Sequence, residues 1–152
     1  MTFQPADPAF EKRVRDSFNR QAVMHLIGAR MVRVEPGIVE IELPYRKDLS
    51  QQHGFFHAGM TSTIADSAGG YAAYTLFPVD SSVLTVEYKI NLVAPGDGEM
   101  LIAKGHVKKT GMTLTICELE VVAVKNGAPR PCAYGLQTLI CLRGHADAPK
   151  IT

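Results

Sequence analysis

His57-Ala58-Gly59-Met60-Thr61-Ser62-Thr63-Ile64-Ala65-Asp66-Ser67-Ala68-Gly69-Gly70-Tyr71-Ala72-Ala73-Tyr74-Thr75-Leu76-Phe77 is the stretch whose reading decides the fold. Small and apolar residues surround it on all sides, and a helix without a polar face is a buried helix. Pro78 stops it, having no N–H to continue the ladder. Past His57, its one charged side chain is Asp66. A buried, unpaired carboxylate costs several kcal/mol, so Asp66 needs a partner. Gly69 and Gly70 each cost ~1 kcal/mol relative to Ala inside a helix. The expected compensation is close approach of another backbone, from a strand or a second helix.

Working outward, Pro44 to Phe56 reads as a loop, and two strand-like runs precede it, Ala29 to Val34 and Ile38 to Leu43. They meet at Glu35-Pro36-Gly37, a hairpin signal. Further upstream, Asp7-Pro8 has the capping acid and first-turn proline that open a helix. Phe10, Val14, Phe18, Ala22, Val23, Leu26 and Ile27 then keep helical spacing up to Gly28, predicting one or two amphipathic helices. Downstream of Pro78 lie four more strand-length runs, Val83 to Val93, Met100 to Lys108, Thr113 to Lys125 and Cys132 to Leu142. Pro95-Gly96-Asp97-Gly98, Thr110-Gly111 and Asn126-Gly127 separate them as turns.

One central helix among about six antiparallel strands predicts an α+β fold in which the sheet curls around the helix. The organisation expected is a helical segment over 1–28, a main domain over 29–143 and a tail over 144–152. The runs at 113–125 and 132–142 are rich in apolar residues and alternate weakly, which predicts cover on both faces and hence a subunit interface.

Bulk composition excludes several classes. The chain has 152 residues, 46% apolar and 20% charged, with a formal net charge of +1, as expected of one ordinary globular domain. Near-neutrality argues against a nucleic-acid or membrane surface, so a polyanionic ligand must meet a local cluster of cations. Cys117, Cys132 and Cys141 form no C-x-x-C pair and sit in apolar runs, which predicts reduced, buried thiols and a cytoplasmic protein. The N-terminal residues lack the layout of a signal peptide. His53 and His57 stand four apart, but no third ligand has matching spacing, so no metal is expected.

The helix start has chemistry of its own. Ala58 and Gly59 stand where a helix offers free N–H groups and a partial positive charge, a site for negative charge developing on a carbonyl oxygen. Asp66 is eight residues further on, roughly 12 Å along one helix at ~1.5 Å per residue. One carbonyl cannot touch both. If both act on one substrate, they come from different subunits of a two-fold dimer.

Gly54-Phe55-Phe56-His57-Ala58-Gly59 with Asp66 nine residues after the His resembles the PaaI-like acyl-CoA thioesterases of the hotdog superfamily. In that family a Gly-x-x-His-Gly-Gly loop opens the central helix. The likeness extends over roughly residues 20–143, through Ile27-Gly28, Thr85 to Leu92, Ala94-Pro95 and Lys108 to Thr113. It implies a hotdog fold, hydrolysis of a thioester to free acid and CoA, and no cofactor. It also implies a homodimer with composite sites, joined into a dimer-of-dimers tetramer. Carried over, the Ala58 N–H holds the thioester oxygen, Gln51 helps polarise it and His57 orders the loop. Asp66 attacks directly or activates a water, which Thr85 holds. Ala58 replaces the usual Gly, and Gly70 lacks a hydroxyl found there in some members, which moves the water-holding role to Thr85. Gly59, Phe56, Met60 and Val86 are expected contacts of the CoA or acyl part of the substrate, with Phe55, Phe56 and Met60 walling an acyl tunnel. Lys108, Lys109 and Gly111 are the expected phosphate contacts for CoA.

Other readings stand beside these. Asp66 is alternatively a structural acid, His57 a structural hydrogen-bonding group, and Lys108 to Gly111 a solvated hairpin tip. A non-catalytic acyl-CoA-binding hotdog protein is a second function. A hotdog enoyl-CoA hydratase is a third, disfavoured because His57 and Asp66 lie on one segment instead of facing each other.

Overall fold

The computed structural model describes residues 3–149. Helices α1 (Phe10–Arg20) and α2 (Ala22–Ile27) lead into strands β1 (Arg30–Glu35) and β2 (Ile38–Pro44). A 3₁₀ turn over Lys47–Leu49 precedes the central helix α3 (Ala58–Tyr74). Four strands follow: β3 (Ser81–Leu92), β4 (Met100–Thr110), β5 (Leu114–Lys125) and β6 (Ala128–Arg143). All six form one antiparallel sheet in the order β1-β2-β4-β5-β6-β3. The sheet wraps α3, which packs chiefly on β4, β2, β5 and β3, and this is the hotdog arrangement.

Local chemistry fixes the turns. Asn126 and Gly127 both have positive φ, 53° and 75°, the type I′ geometry that matches strand twist. Gly28 ends α2 in the left-handed region at φ 80°. Helix and sheet approach closely at Gly105 of β4, where a Cβ would collide with the backbone of Ala68 and Gly69. Gly69 itself faces side chains, Gln137 and Leu119, whereas Gly70 makes only ordinary contact with Leu139. The backbone approach expected at the glycine pair is therefore made by a strand glycine opposite it.

Tertiary partners move three expected boundaries. Helix α1 starts at Phe10, because Asp7 closes a turn ahead of it and accepts the Ala9 N–H at 2.8 Å. Asp7 is buried, with its other oxygen on Arg13 Nε at 2.9 Å. Helix α3 ends at Tyr74, before Phe77. The Arg13 guanidinium lies 4.3 Å from the Tyr74 ring centroid and donates to the carbonyls of Tyr74, Phe77 and Pro78. It places a cation at the negative end of the helix. Strand β6 starts at Ala128, not Cys132, and runs through Pro129 and Pro131. Pairing with β3 begins only at Ala133, so both prolines sit at a sheet edge where no N–H is required.

Within one chain β5 is covered on its helix-facing side only. Thr115, Cys117, Leu119, Val121 and Ala123 of β5 are buried toward the helix, while the intervening residues are at least partly exposed. Exposed apolar side chains stand on β3, one of the two edge strands, at Leu84, Val86, Tyr88 and Leu92, and also on β5 and β6 at Leu114, Tyr134 and Leu136. All three cysteines are free and buried, and burial pushes the Cys117 thiol up to about 12 and the Cys132 thiol to about 11. Among the described residues, no helix is long and apolar enough to cross a membrane.

Candidate active site

Asp66 leaves α3 toward β3 and β6 and finds its partners there. Its Oδ1 accepts the Thr85 hydroxyl at 2.7 Å and Gln137 Nε2 at 2.6 Å. The same nitrogen lies 3.1 Å from the Asp66 carbonyl oxygen and 3.0 Å from Thr85 Oγ1. A register shift between Thr85 and Glu87 makes Val86 the extra residue of a β-bulge. Bulges re-aim neighbouring side chains. Here one lies beside Thr85, whose hydroxyl faces the carboxylate, and Val86 itself stays exposed.

Gln137 is the member that sequence reading missed. A signal existed, since Gln137, Leu139 and Cys141 alternate in β6 and all three are buried, so strand parity puts Gln137 on the inner face. Its two polar atoms contribute in opposite directions. A hydrogen bond to a charged group is worth about 1.5–3 kcal/mol, and a buried acceptor left unpaired costs about 1–3 kcal/mol. Gln137 Oε1 is such an acceptor, buried without a partner among the described residues.

The second pole is the start of α3. His57 is the N-cap: its Nδ1 accepts the Gly59 N–H at 2.8 Å, and its own N–H donates to the Leu49 carbonyl at 2.9 Å. Among the described residues, the Ala58 N–H has no hydrogen-bond partner. Asn126 is the one non-glycine with positive φ among the described residues, so Ala58 needs no glycine to occupy its place. Gln51 accepts the His53 N–H on its Oε1 and bonds through its backbone to Phe55 and Gly54, which shapes the loop. Gln51, Phe55, Phe56, Ala58 and Leu92 share the wall of a cavity of about 450 Å³. Phe56 is largely core, with its ring edge-on to Tyr45 at 5.2 Å, and Met60 packs against the core from the helix.

The two poles do not meet in one chain. Asp66 opens into a different cavity, about 500 Å³, shared with Thr85, Ser17, Gln21 and Tyr71. The predicted phosphate contacts line neither of these two cavities. Lys108 pairs with Glu118 at 3.1 Å, the Gly111 N–H donates to the Leu114 carbonyl, and Lys109 is exposed beside a second bulge. Among the described residues no group of His, Cys, Asp and Glu is disposed to hold a metal ion.

Comparison with known proteins shows the family to which this fold belongs. The family model described as the thioesterase superfamily matches residues 53–129. A thioesterase family protein from Silicibacter pomeroyi is 45% identical, with a TM-score of 0.88, covering 89% of this chain and 99% of that one. A Saccharolobus solfataricus protein whose name assigns it provisionally as an esterase is 26% identical over 72% of this chain and 78% of its own. The E. coli PaaI protein of the phenylacetic acid degradation operon shares the fold at 16% identity, with a TM-score of 0.80 over 92% of this chain and 98% of its own. With its sheet, its helix and the matched segment from His53 onward, this chain belongs to the thioesterase superfamily.

Proposed function

We propose that the protein hydrolyses acyl-CoA thioesters at two equivalent sites, each shared between two subunits of a homodimer. In each site the thioester oxygen accepts the Ala58 N–H of one subunit, at the positive end of α3, with the Gln51 amide as a second donor. Asp66 of the other subunit acts through its Oδ2, either as general base on a water or as nucleophile. On the general-base path, water adds to the carbonyl carbon while Asp66 takes its proton. The C–S bond then breaks, and the proton passes to the departing CoA sulfur. No cofactor enters the reaction.

The observation that carries this reading is the separation of two unsatisfied groups. The Ala58 N–H and Asp66 Oδ2 are each without a partner among the described residues, and they open into different cavities. Beside them β3 offers an unpaired edge with exposed Leu84, Val86, Tyr88 and Leu92, suited to continue the sheet into a second copy. Leu92 also walls the cavity at Ala58, so a copy seated on that edge borders the site.

The test is a hydrolysis assay on aryl, short, medium and long acyl-CoA, run beside Asp66→Asn. Turnover of at least one class, reduced about 10²–10⁴-fold in the variant with the dimer intact, is the expected result. Full activity in Asp66→Asn would remove Asp66 from the mechanism. Acyl-CoA binding without hydrolysis would make the protein a binder.

A further inference from the structure

We propose that Gln137 is a positioning residue that selects Oδ2 as the reacting oxygen of Asp66 and orients the Thr85 hydroxyl. The proposal rests on Asp66 acting on the thioester. An amide nitrogen carries protons and no available lone pair, so Thr85 Oγ1, 3.0 Å from Gln137 Nε2, accepts there. The single Thr85 proton then goes to Asp66 Oδ1 at 2.7 Å. Protons therefore run in one direction, from Gln137 to Thr85 to Asp66.

Two consequences follow for the chemistry. Oδ1 holds two hydrogen bonds and Oδ2 none among the described residues, so the carboxylate is clamped with one oxygen free. Thr85 has spent its proton and keeps one lone pair. A water attacking a carbonyl must aim a lone pair at the carbon, so both its protons go to acceptors. Oδ2 and Thr85 Oγ1 are two such acceptors, and neither competes by donating. Without Gln137 the hydroxyl can turn to donate to the water, and the carboxylate can exchange its oxygens by rotation.

The amide cannot be reversed without loss. Its oxygen would then face Oδ1, the Asp66 carbonyl and Thr85 Oγ1. The helix makes room for the working orientation: a Cβ on Gly69 would collide with Gln137 Oε1.

Gln137→Met keeps length and volume but removes the donor, and Gln137→Glu keeps shape but sets a second carboxylate beside Asp66. The methionine variant is expected to lose about 10–100-fold in kcat, with KM within about twofold, at temperatures where it is fully folded. The glutamate variant is expected to be slower still at neutral pH and to recover as the pH falls, because the introduced carboxyl regains a proton to donate. Wild-type kcat in Gln137→Met while Asp66→Asn is inactive would overturn the role of Gln137 alone, whereas activity in Asp66→Asn would overturn the reading beneath it. A kcat loss in either variant that merely tracks a fall in Tm, with an unmoved pH profile, would also overturn it. The glutamate profile decides even if the methionine variant does not fold.

Discussion

Ala58 and Asp66 lie eight residues apart on the same helix and open into separate cavities. That spacing, roughly 12 Å at ~1.5 Å per residue, is too long for one carbonyl to bridge. A helix offers its free N–H groups only in its first turn, so the chain cannot bring its own donor closer to its own acid. In the proposed dimer, a second copy on the β3 edge supplies it.

Ala58→Pro isolates the N–H from the helix. Proline fits the first helical position, and His57 before it is already extended, with φ −62° and ψ 137°, as a residue preceding proline must be. The variant should keep its Tm within a few degrees while kcat falls about 10²–10³-fold, the usual cost of one oxyanion donor. Unimpaired hydrolysis would exclude the Ala58 N–H as that donor.

Gly69→Ala should harm activity more than helix propensity suggests. Alanine favours the helix by about 1 kcal/mol, but overpacking costs about 1–3 kcal/mol. Its methyl would press on the Leu119 side chain as well as on Gln137. A Tm lower by a few degrees, with a kcat loss that persists at temperatures where the variant is fully folded, is expected. Thermal melts beside initial rates measure both.

Arg13→Met should destabilise the fold without touching the chemistry. It removes the donor to three carbonyls at the end of α3 and leaves Asp7 buried and unpaired. Breaking such a pair costs about 3–5 kcal/mol. Denaturant titration should show that loss at neutral pH. An equal loss in Asp7→Asn would locate it in the ion pair, and no loss in either would refute the capping role.

Stability should fall on the alkaline side. The Cys117 thiol is raised by burial from 9.0 to about 12 and the Cys132 thiol from 9.0 to about 11, while Tyr71 and Tyr74 are raised in the same direction by the same cause. The unfolded chain thus gives up these protons first. Their contribution is complete below about pH 9 and is lost as the pH climbs through 11 and 12. Tm should decline above pH 9, and Cys117 and Cys132 should resist alkylation in the native protein at pH 8. A flat alkaline Tm or rapid labelling would contradict that burial.

Much of this was legible from local pattern. The apolar run from His57, the period-two strands and the Asn126-Gly127 turn each carry their signal within a few residues, and the resulting order of elements is the one found. Boundaries were lost where a distant group decides them. Arg13 ends α3 and draws Asp7 inward, and β3 determines how much of β6 has a neighbour on both sides. At the site, Asp66 and the helix start stood out because a lone charge and a helix opening are visible in one dimension. Thr85 came from a family resemblance and is found on Asp66. Gln137, 71 positions from Asp66 in sequence, has no local mark beyond strand parity. Cover of β5 and β6 on a second face was expected from a subunit interface, and their exposed Leu114, Tyr134 and Leu136 leave that face open in the single chain.

Complementation between two inactive variants tests the shared site most directly. Asp66→Asn and Ala58→Pro homodimers each lack one half of both sites. Unfolded together in equal amounts and refolded, half of the dimers are mixed, and each mixed dimer holds one intact site assembled from the good halves. About a quarter of wild-type activity should return, as two-fold symmetry and random pairing dictate. If acid and donor acted from the same chain, mixing would restore nothing, and activity staying at the level of the separate variants would contradict the account.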